Sequence, residues 1–267
     1  MDKRLIAERF AKARGTYDRE ARVQQQVAER MMRLVLQHTG GDAFRFRNVV
    51  EFGCGTGSYS SILLHTLKPE TLLLNDLCPE MEECVENLPS AGGSPQAGPS
   101  AGGTVVRFRA GDAEELEFPS GTDLMTSCST LQWFNDPAAF FARSHRFLKP
   151  DGILAFTTFG PSNMHEIRSL TGHGLDYLPL DEVRRLVASH FDVRYAAEEV
   201  ISLPFADPPS VLRHLKLTGV TGTEKRMWTR GRLQAFCEDY TRRFARPDGK
   251  VTLTYHPIYI IAQNKSL

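Results

Sequence analysis

Residues 48–60 read NVVEFGCGTGSYS: a short apolar run, three glycines within five positions, then the first turn of a helical pattern. No other segment restricts the fold as much. A strand that runs into a glycine turn and out into a helix is the opening unit of a layered α/β sheet, and the glycines let bare backbone approach a small ligand. A turn of this kind can serve a dinucleotide, a phosphate or another nucleoside cofactor, so its flanks must decide.

The flanks repeat the pattern. Residues 71–76 (TLLLND) form a second predicted strand ending on polar residues, and Pro79 with the acidic residues after it suits a helix start. A third strand ends at Gly111 and Asp112, a fourth covers 123–129, a helix follows over 136–148, and a fifth strand covers 153–159. Strands alternating with helices pair in parallel through right-handed crossovers, which predicts an α/β fold with a doubly wound sheet. Upstream, residues 1–40 carry apolar side chains at intervals of three and four and read as two helices parted at Gly15.

After residue 161 the alternation weakens. The pattern predicts a helix over 180–191 with Asp181 as its N-cap, an extended stretch over 191–203, helices over 208–220 and 229–244, and one closing strand over 250–263. The segment of about 204–248 interrupts the last two strands and is expected to overhang the open end of the sheet as a helical lid. Residues 89–104, rich in Gly, Pro, Ser and Ala, are expected to form a flexible surface insertion, because they cannot bury enough apolar area to fold.

At 267 residues and 41% hydrophobic content the chain is long enough for a single domain carrying such insertions. Lys and Arg number 32, as do Asp and Glu, so no global field points to nucleic acid. The five cysteines (Cys54, Cys78, Cys84, Cys128, Cys237) show neither disulfide nor zinc spacing, and no metal is expected. The charged N-terminus lacks an apolar leader, and no apolar run reaches the ~18 residues of a membrane span, which predicts a cytoplasmic protein with no membrane partner.

A nicotinamide or flavin fingerprint requires a third glycine where Ser58 stands, and a phosphate loop requires a Lys-Ser or Lys-Thr that is missing. What fits is an acid two positions before the first glycine: Glu51, Gly53, Gly55, Gly57. This resembles the first motif of class I S-adenosylmethionine-dependent methyltransferases. The resemblance implies a Rossmann-like, mostly parallel seven-stranded sheet and S-adenosyl-L-methionine as cofactor. It also implies roles: Glu51 near the amino group, Cys54 in the glycine turn, Asn75 and Asp76 at the ribose, Leu77 beside the adenine. Asp112 and Ala113 would face the adenine edge, Ser127 through Ser129 the methionyl part, and Tyr17 would close the pocket from the N-terminal helices.

Residues 17–31, 129–136, 152–160, 212–222 and 253–261 are similar, more narrowly, to the malonyl-[acyl-carrier protein] O-methyltransferases of biotin synthesis. Two departures stand out: Ser127-Cys128-Ser129 replaces an expected Ser-Asn-Leu, and the 89–104 insertion is long. The implied reaction methylates the free carboxylate of a malonyl thioester. A carboxylate with a pKa near ~4 is already ionised at neutral pH, so no catalytic base is expected. A cation should make its burial tolerable, and Arg213 and Lys216 on the lid helix are the candidates, with Trp133 as a wall. His256, in an alternating strand, reads as structural. Residues 207–250 hold ten Lys or Arg against five Asp or Glu, a local excess suited to an acidic acyl carrier protein. A methyltransferase for a free quinone precursor or small acid, and a binding module without turnover, share the same sheet motifs, and oligomeric state is left open.

Overall fold

The computed structural model describes residues 1–40, 45–86, 88, 103–220 and 229–265. Two helices, α1 (Lys3–Glu20) and α2 (Arg22–His38), precede the first strand. The alternating body follows as β1 (Asn48–Phe52), α3 (Ser58–Leu67), β2 (Thr71–Asp76), α4 (Glu82–Val85), β3 (Val105–Ala110), β4 (Thr122–Ser127), α5 (Pro137–Ser144) and β5 (Leu148–Phe159). Then come α6 (His165–Thr171), α7 (Leu180–Ala188), β6 (Phe191–Glu198), β7 (Ile201–Phe205), α8 (Pro208–Leu217), α9 (Arg230–Phe244), β8 (Val251–Tyr255) and β9 (Pro257–Asn264).

Seven strands form one sheet in the order β3-β2-β1-β4-β5-β9-β6. The first five pair in parallel, and β9 runs antiparallel between β5 and β6. Alternate side chains of each central strand enter different cores, as the two-residue period of a strand requires. Val49, Leu72, Leu124 and Ile261 pack with α2 and α3 on one face; Val50, Met125, Phe156 and Ile260 pack with α5 and α7 on the other. Strand order reverses between β1 and β4, which opens a crevice beyond their carboxyl ends.

Several sequence expectations shift. The break between the first two helices falls at Ala21, and Gly15 lies inside α1. Helical glycine costs about 1 kcal/mol relative to alanine; α1 is docked on α8 next to it, where Thr16 Oγ1 donates to Leu217 O at 2.8 Å. Asp181 sits in the first turn of α7, not at its cap, which is Pro179. There its charge still favours the positive helix end. The single closing strand is two, β8 and β9, parted at His256. β8 pairs with β7 in a separate antiparallel ribbon whose strands flank α8 and α9, so the interrupting segment has a β base beginning at Ile201 and ending at Tyr255. The expected insertion at 89–104 lies outside the described residues except for 103 and 104. No helix among the described residues is long and apolar enough to cross a membrane.

Candidate functional site

The loops after β1, β2, β3 and β4 meet over the crevice, and α1 and α2 cover it, enclosing about 1070 Å³ including the open mouth. Glu51 forms part of its floor. The residue is 1% exposed, and one carboxylate oxygen accepts a hydrogen bond from Ser60 Oγ at 2.6 Å. Among the described residues no cation pairs with it. Burial, with nearby Asp76 adding to it and Ser60 opposing it, pushes the Glu51 carboxyl up to about 8.

Gly53 shows why the turn after β1 must be bare. Its φ is +70°, and a Cβ added there would lie 2.7 Å from Thr130 Cβ, so the loop after β4 can close on it only while the side chain is absent. The backbone N–H of Gly55 donates to Asp76 Oδ2 at 2.8 Å, and the N–H of Cys78 donates to Asp76 Oδ1 at 2.9 Å. Asp76 is thereby aimed into the cleft by two main-chain donors. They hold its pKa down against the dominant effect of burial, which raises it. Asn75 donates through Nδ2 to Arg109 O and Gly111 O, both at 2.9 Å, which locks its amide and leaves Oδ1 buried without a protein donor. Gln24 Oε1 and Ser129 Oγ are in the same state, and all three residues line the cleft. Buried acceptors are nearly always paired, so three orphans around one cleft mark a place for a polar ligand. The thiols of Cys54 and Cys128 also line the cleft, but burial raises both pKa values, so neither is poised as a nucleophile.

The remaining wall is α1. Ile6, Phe10 and Tyr17 face the cleft, and the Phe10 ring meets Trp133 edge-on at 5.5 Å. Polar contacts tie this helix to each strand-end loop in turn. Asp18 Oδ1 accepts from Ser58 Oγ at 2.8 Å and Thr56 Oγ1 at 2.5 Å after β1; Arg14 Nη1 donates to Glu80 O at 3.1 Å after β2. Lys3 Nζ reaches Glu114 at 2.5 Å and Asp112 at 3.3 Å after β3, and the terminal amine donates to Asn135 Oδ1 after β4.

A family model described as a methyltransferase domain matches residues 50–156. N-methyltransferase NodS of Bradyrhizobium japonicum, in complex with S-adenosyl-L-homocysteine, shares the fold with a TM-score of 0.50 at 12% identity, over 89% of this chain and 87% of that one. A malonyl-[acyl-carrier protein] O-methyltransferase of Bacteroides thetaiotaomicron is 49% identical with 100% of both chains covered. Another, from Bacteroides helcogenes, is 64% identical over 276 residues, spanning 99% of this chain and 100% of its own. The chain belongs to the malonyl-[acyl-carrier protein] O-methyltransferase family.

Of the residues that resemblance to this family singled out, Tyr17, Glu51, Gly53, Cys54, Gly55, Asn75, Asp76, Leu77, Asp112, Ala113 and Trp133 all line the one cleft. Gly57 does not; it starts α3 with φ +87° and backs onto Val85 and Leu88. Ser127 ends β4 fully buried behind the cleft, while Cys128, Ser129 and Thr130 line it. The reach into the cleft comes one residue later because the chain leaves the strand there, with Ser129 at φ +59°. Arg213 and Lys216 are exposed on α8 and line no part of the cleft, since α8 buries its opposite face through Val211, His214 and Leu215. His256 is structural: its Nδ1 accepts from the Ser162 N–H at 3.1 Å, which leaves the proton on Nε2, 3.1 Å from Glu198. The sequence reading missed Lys3, Phe10, Arg14 and Gln24, which an amphipathic helix does not assign to any one partner surface.

Proposed function

We propose that this chain transfers the methyl group of S-adenosylmethionine to the free carboxylate of malonyl borne on acyl carrier protein, giving the methyl ester and S-adenosylhomocysteine. The observation that carries the donor side is Glu51: a buried carboxyl at the floor of the cleft beyond the strand ends, with a raised pKa and no cation among the described residues. An α-ammonium placed there supplies the missing charge. Asp76 holds the ribose hydroxyls, Asp112 and Ala113 border the adenine, and the free Asn75 Oδ1 accepts from the nucleoside.

The bound cofactor supplies an electrophilic methyl: the malonyl carboxylate oxygen forms a bond to carbon, the carbon–sulfur bond breaks, and the electron pair stays on sulfur. No proton moves. The protein therefore contributes positioning and exclusion of water instead of acid–base chemistry. Covering the cleft with α1 serves both. The exposed Arg213 and Lys216, in a segment with ten basic and five acidic residues, belong to the docking of an acidic carrier outside the cleft.

Labelled S-adenosylmethionine offered with malonyl-carrier protein, malonyl-coenzyme A or free malonate tests the assignment. The expected order of rates is carrier, coenzyme A, free acid, with a base-labile product. Equal rates on all three overturn carrier recognition, and no ester on any overturns the reaction.

A further inference from the structure

Beside the main cleft lies a smaller recess that shares Phe10, Tyr17, Gln24, Ser129 and Trp133 with it. Its far side is formed by Phe159, Asn163, Met164, Leu175 and Tyr177. Besides the amides of Gln24, Gln132 and Asn163, the hydroxyls of Ser129 and Tyr177 give this mostly apolar space its polarity. Asn163 Nδ2 donates to the Tyr177 hydroxyl at 2.8 Å, while Asn163 Oδ1 accepts the His256 N–H at 3.3 Å, so the amide orientation is set from both sides. With its oxygen already accepting, the Tyr177 O–H keeps its proton to give, and no acceptor among the described residues takes it. At the junction with the cleft, Ser129 Oγ is buried and unpartnered. Its left-handed backbone is held by bonds from its own N–H to Thr157 Oγ1 at 2.9 Å and from Gln132 Nε2 to its carbonyl at 2.5 Å.

Behind Tyr177 stands Arg168. Its guanidinium carbon is 5.5 Å from the ring centroid, it donates to Pro161 O, and its buried Nε has no partner. The stem is clamped against Gly174, where any Cβ would collide with it. A positive charge thus lies over the Tyr177 ring, and Arg168 itself does not line the chamber.

We infer that this chamber seats the acceptor carboxylate, with the hydroxyls of Ser129 and Tyr177 donating to it and Arg168 acting as a positioning residue behind Tyr177. This rests on the carboxyl-methylation reading and names the acceptor half of that site. A buried carboxylate must exchange its lost water for donors, or its burial is prohibitive. A cation in direct contact forms the strongest pair but also occupies the oxygen that must attack. Two neutral donors with a cation one layer back satisfy the charge and leave a lone pair free. The apolar walls suit the short methylene of a malonyl group and exclude water. The exposed Arg213 and Lys216 cannot take this part.

Binding of malonyl-carrier and of acetyl-carrier, which lacks the carboxylate, to the S-adenosylhomocysteine-loaded enzyme separates the possibilities. The wild-type protein is expected to prefer malonyl-carrier, and Tyr177→Phe to erase that preference by about tenfold or more while leaving acetyl-carrier and S-adenosylhomocysteine binding unchanged. Ser129→Ala should act in the same direction. Arg168→Gln should raise KM for malonyl-carrier, with partial recovery in Arg168→Lys, a split that a purely structural role would not produce. Full malonyl preference in both Tyr177→Phe and Ser129→Ala overturns the chamber assignment while wild-type ester formation still upholds the reaction. Absence of ester from the wild-type enzyme overturns both.

Discussion

Glu51 and Gly53 sit two positions apart and do different physical work. Glu51 is a charge-selective group kept incomplete: burial disfavours its ionised form until a cation arrives. Glu51→Gln is therefore expected to weaken S-adenosylhomocysteine binding by about tenfold or more, an effect of at least the size of one charge-assisted hydrogen bond. The same change should stabilise the ligand-free protein relative to wild type by an amount that grows as pH rises from the ordinary carboxylate range toward about 8 and levels off above it, as read by thermal unfolding. Gly53→Ala acts through shape, driving a Cβ into Thr130; calorimetry should show cofactor binding lost while far-ultraviolet circular dichroism is kept. Both residues were legible in the sequence because their roles are local, an acid and a bare turn at one strand end. Ser129 was less so. Only the left-handed turn after β4 decides that Ser129, and not Ser127, reaches the cleft.

Of the two helices that cover the cleft, α1 has the weaker hold. It buries only Ile6 and Ala13, whereas α2 buries eight residues including Val23, Val27 and Met31. Its exposed ties through Arg14 and Asp18 contribute about 0–1 kcal/mol each, so α1 is expected to open before α2, toward the low end of local stability. Asp18→Ala frees Thr56 and Ser58 together and should speed release of S-adenosylhomocysteine several-fold, roughly what 1 kcal/mol delivers. Stopped-flow fluorescence can measure this, with an unchanged release rate counting against α1 as a cover. The helical period of α1 was visible in the sequence, but the surface it packs on was not, because Phe10 and Tyr17 fit any apolar partner. For α8 the period already carried the answer: Val211, Leu215 and Thr218 mark the buried side, which leaves Arg213 and Lys216 outside. The division of the closing strand at His256 could not be read, since β8 and β9 share one alternating pattern and differ only in the partner each finds.

The molecule joins a neutral whole to a basic region around α8 and α9, and long-range charge governs encounter more than grip. KM for malonyl-carrier is accordingly expected to rise with ionic strength, and to rise in the Arg213→Glu, Lys216→Glu double variant, while KM for malonyl-coenzyme A changes less; equal changes for both acceptors would show that the charge plays no part in docking. The doubly wound α/β pattern and the residues at the strand ends were legible because each strand end carries its own chemistry in a few contiguous residues, whereas the strand order was not read. The chamber proposed for the acceptor was not, being assembled from α1, α2 and the segments after β4, β5 and α8. Both halves depend on a positively charged donor held over Glu51. Because the folded carboxyl titrates near 8, far above its unfolded value, the group's contribution to ligand-free stability is lost as pH rises toward 8. A bound ammonium favours the ionised form, so binding releases a proton. Calorimetric titration with S-adenosylhomocysteine between about pH 6 and 8 should give saturable one-to-one heats, proton release and affinity that rises with pH. No saturable heat, or affinity that stays level or falls across that range, would contradict a cationic ligand at Glu51.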